Sequence, residues 1–420
     1  MPSQGLEQLH KTKPPLFYGY IVVGVAVLIM LFMLGTLHSF GVFVKPIATE
    51  FGWTRGTISG AYSLSAIIGG VLGICMGWFN DRFGPRFVLS LCGFFMGLGY
   101  LLMSQTSSVW EFYLFFGVIV GIGMAGTFVP LSSTVARWFA KRRSMMTGMV
   151  TAGEGLGTLL VPPLAALLVQ TYEWRVSYLI LGAIVLIVVV TAAQFLKRDP
   201  SDAGQYVDDG SEVEQPEVEL ADSAFSLRQV VATKQFWLVC SVLFSIGFCV
   251  LAIVVHIIPH ATDSGISVST AANILASIGG FGIVGRLVLG GVADRIGIKR
   301  VLVMGLILMS VSLLWLLRSG ELWEFYLFAI IFGLSSGGIS TLGSPLVAEL
   351  FGLKSHGLIY GVSDLGFTSG VAMGPLVTGY IFDSTGVYTL AFMICAGLGI
   401  VATILTGTLT PTNKHGVSLG

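Results

Sequence analysis

Few residues within the long apolar runs of this 420-residue chain carry charge, and Arg286 is the most informative of them. It stands eight positions before Asp294, about 12 Å along a helix at 1.5 Å per residue, too deep for comfortable snorkelling. A buried guanidinium is costly unless paired, and its planar fork suits a carboxylate. Two partners are open: a substrate anion, which is favoured, and a structural ion pair with Glu154 or Asp364. Those two are the other deep charges, and embedded carboxylates are natural proton carriers. Glu154 ranks slightly ahead of Asp364, because glycines flank it and no cation is close to it in sequence. His38 and His256 are candidates for substrate hydrogen bonding or protonation. Asp263, with His260, forms a candidate pH-sensitive pair at the outer mouth and is a third candidate proton site. No metal-ligand cluster or nucleophile–base pair of recognisable spacing accompanies them, so neither an enzyme nor a resident metal or cofactor is expected. The five cysteines (Cys75, Cys92, Cys240, Cys249, Cys395) all fall in apolar spans and read as packing residues.

These residues must be held by membrane helices. With 54% hydrophobic and 10% charged residues, a soluble globule of this length is excluded. Twelve continuous apolar runs, from about 18–43 to about 387–409, are each long enough to cross hydrocarbon, which needs about 20 residues. They do not alternate, which excludes a barrel. The polar stretch Met1–Pro15 and the length of the first run argue against a cleavable signal. With both termini inside, 17 of the 22 Lys and Arg residues fall on the cytoplasmic side. Only Lys45, Arg55, Arg175 and Arg318 fall outside. Net charge is zero, so no polyanionic or nucleic-acid partner is indicated.

Trp-Glu-Phe-Tyr-Leu-Phe occurs at 110–115 and again at 323–328, an offset of 213 residues. The same offset pairs Gly77 with Gly290, Gly148 with Gly361 and Pro162 with Pro375. Two parallel copies of one unit suit an alternating-access carrier. The expected organisation is an all-α membrane protein of two six-helix bundles, 1–197 and 230–420, joined by an acidic tether at 198–229. Nine acidic residues between Asp199 and Asp222 keep that tether from burying apolar area, and they lack calcium-loop spacing.

The cytoplasmic turns after spans two and eight repeat one motif. The first copy holds Gly77, Asp81, Arg82 and Gly84; the second holds Gly290, Asp294, Arg295 and Gly297. It resembles the signature of the major facilitator superfamily. Its glycines permit tight turns, its aspartates can accept from a helix start, and its arginines can meet a carboxylate such as Glu349. Such contacts would latch the two copies on the inside. Three further patches narrow the resemblance: Phe17-Tyr18-Gly19-Tyr20, the run Ala136–Gly148 followed by Ala152-Gly153-x-Gly155-x-Gly157, and His256 through Gly265 leading to Gly285-Arg286. They look like the monocarboxylate transporter family and its bacterial relatives, including oxalate–formate exchangers.

In that family an arginine at the place of Arg286 binds the substrate carboxylate. The exchangers carry a lysine in span eleven, where Phe367 stands here, so a monoanion fits better than a dianion. The mammalian carriers have an aspartate four residues before the arginine, where this chain has Gly282, so their proton path does not carry over directly. Their span-one lysine is not matched either, Lys45 being too near the outer surface. The resemblance implies a proton-coupled carrier of small monocarboxylates such as lactate or pyruvate, working as a monomer in a bacterial inner membrane. An anion exchanger, and more distantly a transporter-shaped receptor, are the alternatives.

Overall fold

A computed structural model describes residues 17–139, 143–204, 227–351 and 356–410, and among these the regular structure is entirely helical. The elements are α1 (Tyr18–His38), α2 (Phe40–Phe51), α3 (Arg55–Phe83), α4 (Pro85–Met103), α5 (Val109–Phe112), a π-helical stretch (Tyr113–Val120), α6 (Gly121–Met124), α7 (Val129–Trp138) and α8 (Arg143–Ala193). After a 3-10 turn (Pro200–Ala203) and α9 (Leu227–Val231) come α10 (Lys234–Asp263), α11 (Val268–Ile296), α12 (Ile298–Leu316), α13 (Leu322–Ser340), α14 (Gly343–Phe351), α15 (His356–Thr385) and α16 (Thr389–Gly407). Among the described residues, eleven stretches are long and apolar enough to cross a membrane. One of them, 49 residues long, breaks at Glu173 and holds two crossings, which makes twelve. Most of the acidic connection, residues 205–226, lies outside the described residues, as do Lys141, Arg142 and Lys354.

The 213-residue register holds down to individual caps. Helices α3 and α11 have equivalent bounds, as do α4 and α12. Thr54 caps α3 by accepting from the Thr57 N–H, and Ser267 caps α11 by accepting from the Thr270 N–H. Gly84 (φ 81°) and Gly297 (φ 96°) turn the chain into α4 and α12 with backbone that favours glycine. Paired capping boxes start α5 and α13: Ser108 with Glu111, and Glu321 with Glu324. The repeated Trp-Glu-Phe-Tyr-Leu-Phe thus marks one local device, a reciprocal N-cap followed by an apolar helix.

Small residues let the helices touch backbone to backbone. Gly366, Gly370 and Gly374 sit four apart on α15 and face the carbonyls of Cys240, Phe244 and Phe248, four apart on α10. A Cβ at any of the three would collide with carbonyl oxygen, the close approach that small-residue seams permit. At the end carrying Arg82 and Arg295, the patch at 17–20 meets Trp138 and Phe139 of the second patch. Phe17 packs edge-on against Trp138 and Phe139, with ring centroids 5.9 and 5.4 Å apart. Tyr18 Oη donates to the Phe195 carbonyl (2.8 Å) and Trp138 Nε1 to that of Lys197 (3.0 Å).

The two copies press together at one end and separate at the other. On the α3–α15 seam, a Cβ at Gly56, Gly70 or Gly379 would meet the opposite copy. On the α8–α11 seam, Gly155 and Gly279 are in the same position. Further along, Gly148, Gly290, Gly291 and Gly361 have nothing within 4 Å of a built Cβ, and Met145, Met149 and Val288 are exposed. The open end carries the Gly77–Gly84 and Gly290–Gly297 motifs, the end assigned by charge to the cytoplasm.

Candidate functional site

The glycine-rich run of α8 sets the geometry. Gly153 and Gly157 face α1, against the carbonyls of Val27 and Leu31, while Gly155 faces α11 at Ile283. Helix α8 is therefore wedged between α1 and α11, and its polar residues reach both. Arg286 Nη2 donates to Glu154 Oε2 across the two copies at 2.6 Å, and Nη1 donates to the Thr151 carbonyl. The Arg286 Nε is buried without a partner among the described residues. Thr158 Oγ1 donates to the Glu154 carbonyl (2.9 Å) and lies 2.7 Å from His38 Nδ1. His38 and Thr158 thus meet the main chain of Glu154 from the α1 side, while its carboxylate meets Arg286 on α11. The side chains of Arg286 and Glu154 keep 14% and 24% of their surface, so the pair is shielded but reachable.

Of the two partners open to Arg286, the structure forms the ion pair with Glu154. The absence of a nearby cation in sequence does not hold in space. Asp364, half-buried on α15, has no ion-pair partner among the described residues. Its register mate is Thr151, whose carbonyl receives Arg286, while Arg286's own mate is Gly73. At this depth the α8–α11 seam therefore carries an acid with a cation, whereas Asp364 on α15 has no cation partner among the described residues.

His256 is not brought to this cluster. It is fully buried, its Nε2 2.9 Å from the Pro375 carbonyl and 3.2 Å from Ser59 Oγ, its Nδ1 3.2 Å from Tyr388 Oη. That places it in the closed end. Asp263 lies there as well, and the pairing with His260 does not form: Asp263 binds both Nη atoms of Arg55 (2.7 and 2.9 Å), with Lys45 Nζ at 3.7 Å. His260 packs instead against the rings of Phe325, Tyr388 and Phe392. A guanidinium draws the carboxylate away more strongly than a ring already enclosed by aromatics.

Sequence reasoning passed over two members of this closed end. Asp383 accepts from the N–H groups of Arg55 (2.8 Å) and Gly56 (2.6 Å), capping the start of α3 from the opposite copy. Arg55 also donates to Tyr388 Oη (2.5 Å) and lies 3.8 Å above the Phe382 ring. The signal that singled out Arg286 was available: Arg55 and Asp383 break the repeat, their mates being Val268 and Gln170. At the open end, Arg82 and Arg295 are exposed, and among the described residues neither they nor Glu349 enters an ion pair. The side chains of Asp81 and Asp294 lie outside the described residues.

A family model, the Major Facilitator Superfamily, matches residues 21–297 and 257–419. The chain belongs to the major facilitator superfamily. Among curated relatives of this superfamily member, monocarboxylate transporter 13 of Rattus norvegicus is 28% identical, over 94% of this chain and 91% of its own. Monocarboxylate transporter 11 of Homo sapiens is also 28% identical, over 91% and 80%. The fold is shared with a bacterial homologue of the human lysosomal transporter Spinster, solved inward-facing and unoccupied, with a TM-score of 0.74 at 16% identity over 94% of this chain and 97% of that one. This is a multi-pass transporter of the superfamily, similar to proteins named monocarboxylate transporters.

Proposed function

We propose that this transporter carries small monocarboxylate anions together with a proton, by alternating access, and that its present conformation is open to the cytoplasm. The observation that carries the reading is the Arg286–Glu154 pair, an acid holding the one deep cation across the two copies. An ionised Glu154 and a substrate carboxylate compete for the same guanidinium fork. Protonation neutralises Glu154, weakens its hold and leaves the fork to the substrate. Proton and anion then travel together, and the buried site keeps its net charge in both states. That balance matters where an uncompensated charge is expensive. His38, linked through Thr158, offers a hydrogen-bonded extension of the site on α1. The relatives' names support the substrate class, and Phe367 in place of a second cation supports a monoanion.

The latch of Arg55, Asp263 and Asp383 supports a closed outer gate, with His256 packed beneath it. Opening the outside requires these contacts to part while the motif-bearing ends approach. Reconstitution tests the coupling. An inward pH gradient should drive lactate or pyruvate accumulation in proteoliposomes, and a membrane potential alone should not. Glu154→Gln should lose gradient-driven accumulation yet retain exchange. Normal accumulation by Glu154→Gln, with loss in Asp364→Asn, would move the proton to α15. Accumulation indifferent to pH would leave the carboxylate exchanger.

A further inference from the structure

Two depressions lie end to end along the seam between α4 and the second crossing of α8. The first is a groove of about 520 Å³ open to the side, walled by Phe87, Leu91 and Phe94 on α4 and by Leu186, Ile187 and Val190 on α8. Phe87, Phe94 and Ile187 are exposed. The second, about 340 Å³, continues the seam towards the end carrying Arg82, and is lined by Arg82, Arg86, Lys197, Arg198 and a single acid, Asp202. From residue 87 to 94 the groove runs about 10 Å, the length of roughly eight acyl carbons.

We infer that this seam is a binding site for an anionic glycerophospholipid, with its phosphate in the basic cleft and one acyl chain in the groove. The charges are placed to receive a phosphate. Arg86 spends its Nε on the Leu196 carbonyl (2.6 Å), and its guanidinium lines the cleft. Arg198 Nε has no hydrogen-bond partner, although Asp199 lies 3.3 Å away. Gly84 and Pro85 line the cleft at the start of α4, a helix with no side-chain cap and no acid in its first turn. Its free N–H groups add to the positive field there. Four cations against two acids, Asp202 in the lining and Asp199 beside Arg198, leave the cleft net positive and favour an anionic headgroup, and the lateral opening of an apolar groove within two membrane spans favours a lipid over a soluble phosphate.

The repeat supplies an internal control. Lys299 donates to the Leu409 carbonyl (2.7 Å), the counterpart of Arg86 and Leu196. Thr410 stands in the second copy where the first has Lys197, and Arg300 where the first has Phe87. The second seam thus has no cation at the place of Lys197 and a charged residue instead of an aromatic one at the groove's entrance.

Native mass spectrometry of the full-length protein, released from detergent with phosphatidylglycerol or with phosphatidylcholine of the same chains, tests the site. The wild type should retain phosphatidylglycerol preferentially. Lys197→Gln/Arg198→Gln should reduce that adduct about tenfold or more, two interfacial cations each contributing on the order of 1 kcal/mol. Ser90 also lines the groove, so Ser90→Phe should fill it and reduce the adduct with the charges intact, and Lys299→Gln should leave it unchanged. Equal retention of the two lipids by the wild type, or an undiminished adduct in both the charge and groove variants, would overturn the assignment. Displacement of the lipid by an equal concentration of inorganic phosphate would confine binding to the cleft and overturn it too.

Discussion

Asp263 and Glu50 occupy the same position in the two copies, 213 residues apart, yet bind in different directions. Glu50 stays within its own copy, where it accepts from Arg175 and from Trp174 Nε1. The register mate of Arg175 is Tyr388, so Asp263 has no arginine at that place and takes Arg55 from the opposite copy. A single exchange of arginine for tyrosine accompanies the conversion of an internal brace into a latch between the halves.

Removing the latch should favour the outward-open state. With a reporter cysteine replacing the buried Ser59, Arg55→Ala should raise labelling by an impermeant maleimide added outside by about tenfold, the order expected for losing a bidentate ion pair. Tyr388→Arg, which returns an in-copy partner to Asp263, should raise it too. Unchanged labelling in both would mean that the latch carries no gating energy.

The Arg286–Glu154 pair should behave as a coupled unit in stability. Arg286→Ala leaves a shielded carboxylate alone and should cost about 3 kcal/mol, whereas Arg286→Gln/Glu154→Gln should cost much less. Melting followed by tryptophan fluorescence in detergent measures both. A double variant as unstable as the single one would show that the pair is not coupled.

Transport should need the fork and not only its charge. Arg286→Lys keeps the cation but lacks the two-pronged geometry, and uptake of a monocarboxylate should fall by about tenfold or more. Wild-type uptake by Arg286→Ala would remove the anchor role altogether.

Glu173 is the one non-glycine residue with positive φ among the described residues (φ 66°, ψ 168°), and its register mate is Gly386 (φ 74°). The same sharp turn joins the last two crossings of each copy, and the first copy builds it with a side chain. Glu173→Gly should therefore stabilise the protein, by about 1–3 kcal/mol. SDS titration in mild detergent reads the change, and a destabilised variant would contradict it.

The seam of α10 and α15 sets a steeper cost. Gly370→Leu places a branched chain against the Phe244 carbonyl and should abolish folded, monodisperse protein, while Gly397→Leu, at a site with nothing within 4 Å of a built Cβ, should be tolerated. Equal yields of the two variants would show that the backbone contact is dispensable.

The sequence by itself determined the twelve crossings and the copied register. Each depends on residues a few positions apart, where hydropathy and hydrogen-bonding capacity act along the chain. It also marked Arg286, because its mate Gly73 shows that the charge is not part of the repeated scaffold. The tertiary structure decided the partners. Glu154 lies 132 residues from Arg286, and Asp383 lies 328 from Arg55. Only the wedging of α8 through its glycines, and the closure of one end while the other parts, bring these atoms within hydrogen-bonding distance. A pairing that must change as the carrier turns over belongs to one arrangement of the halves, and local sequence holds no record of which arrangement that is.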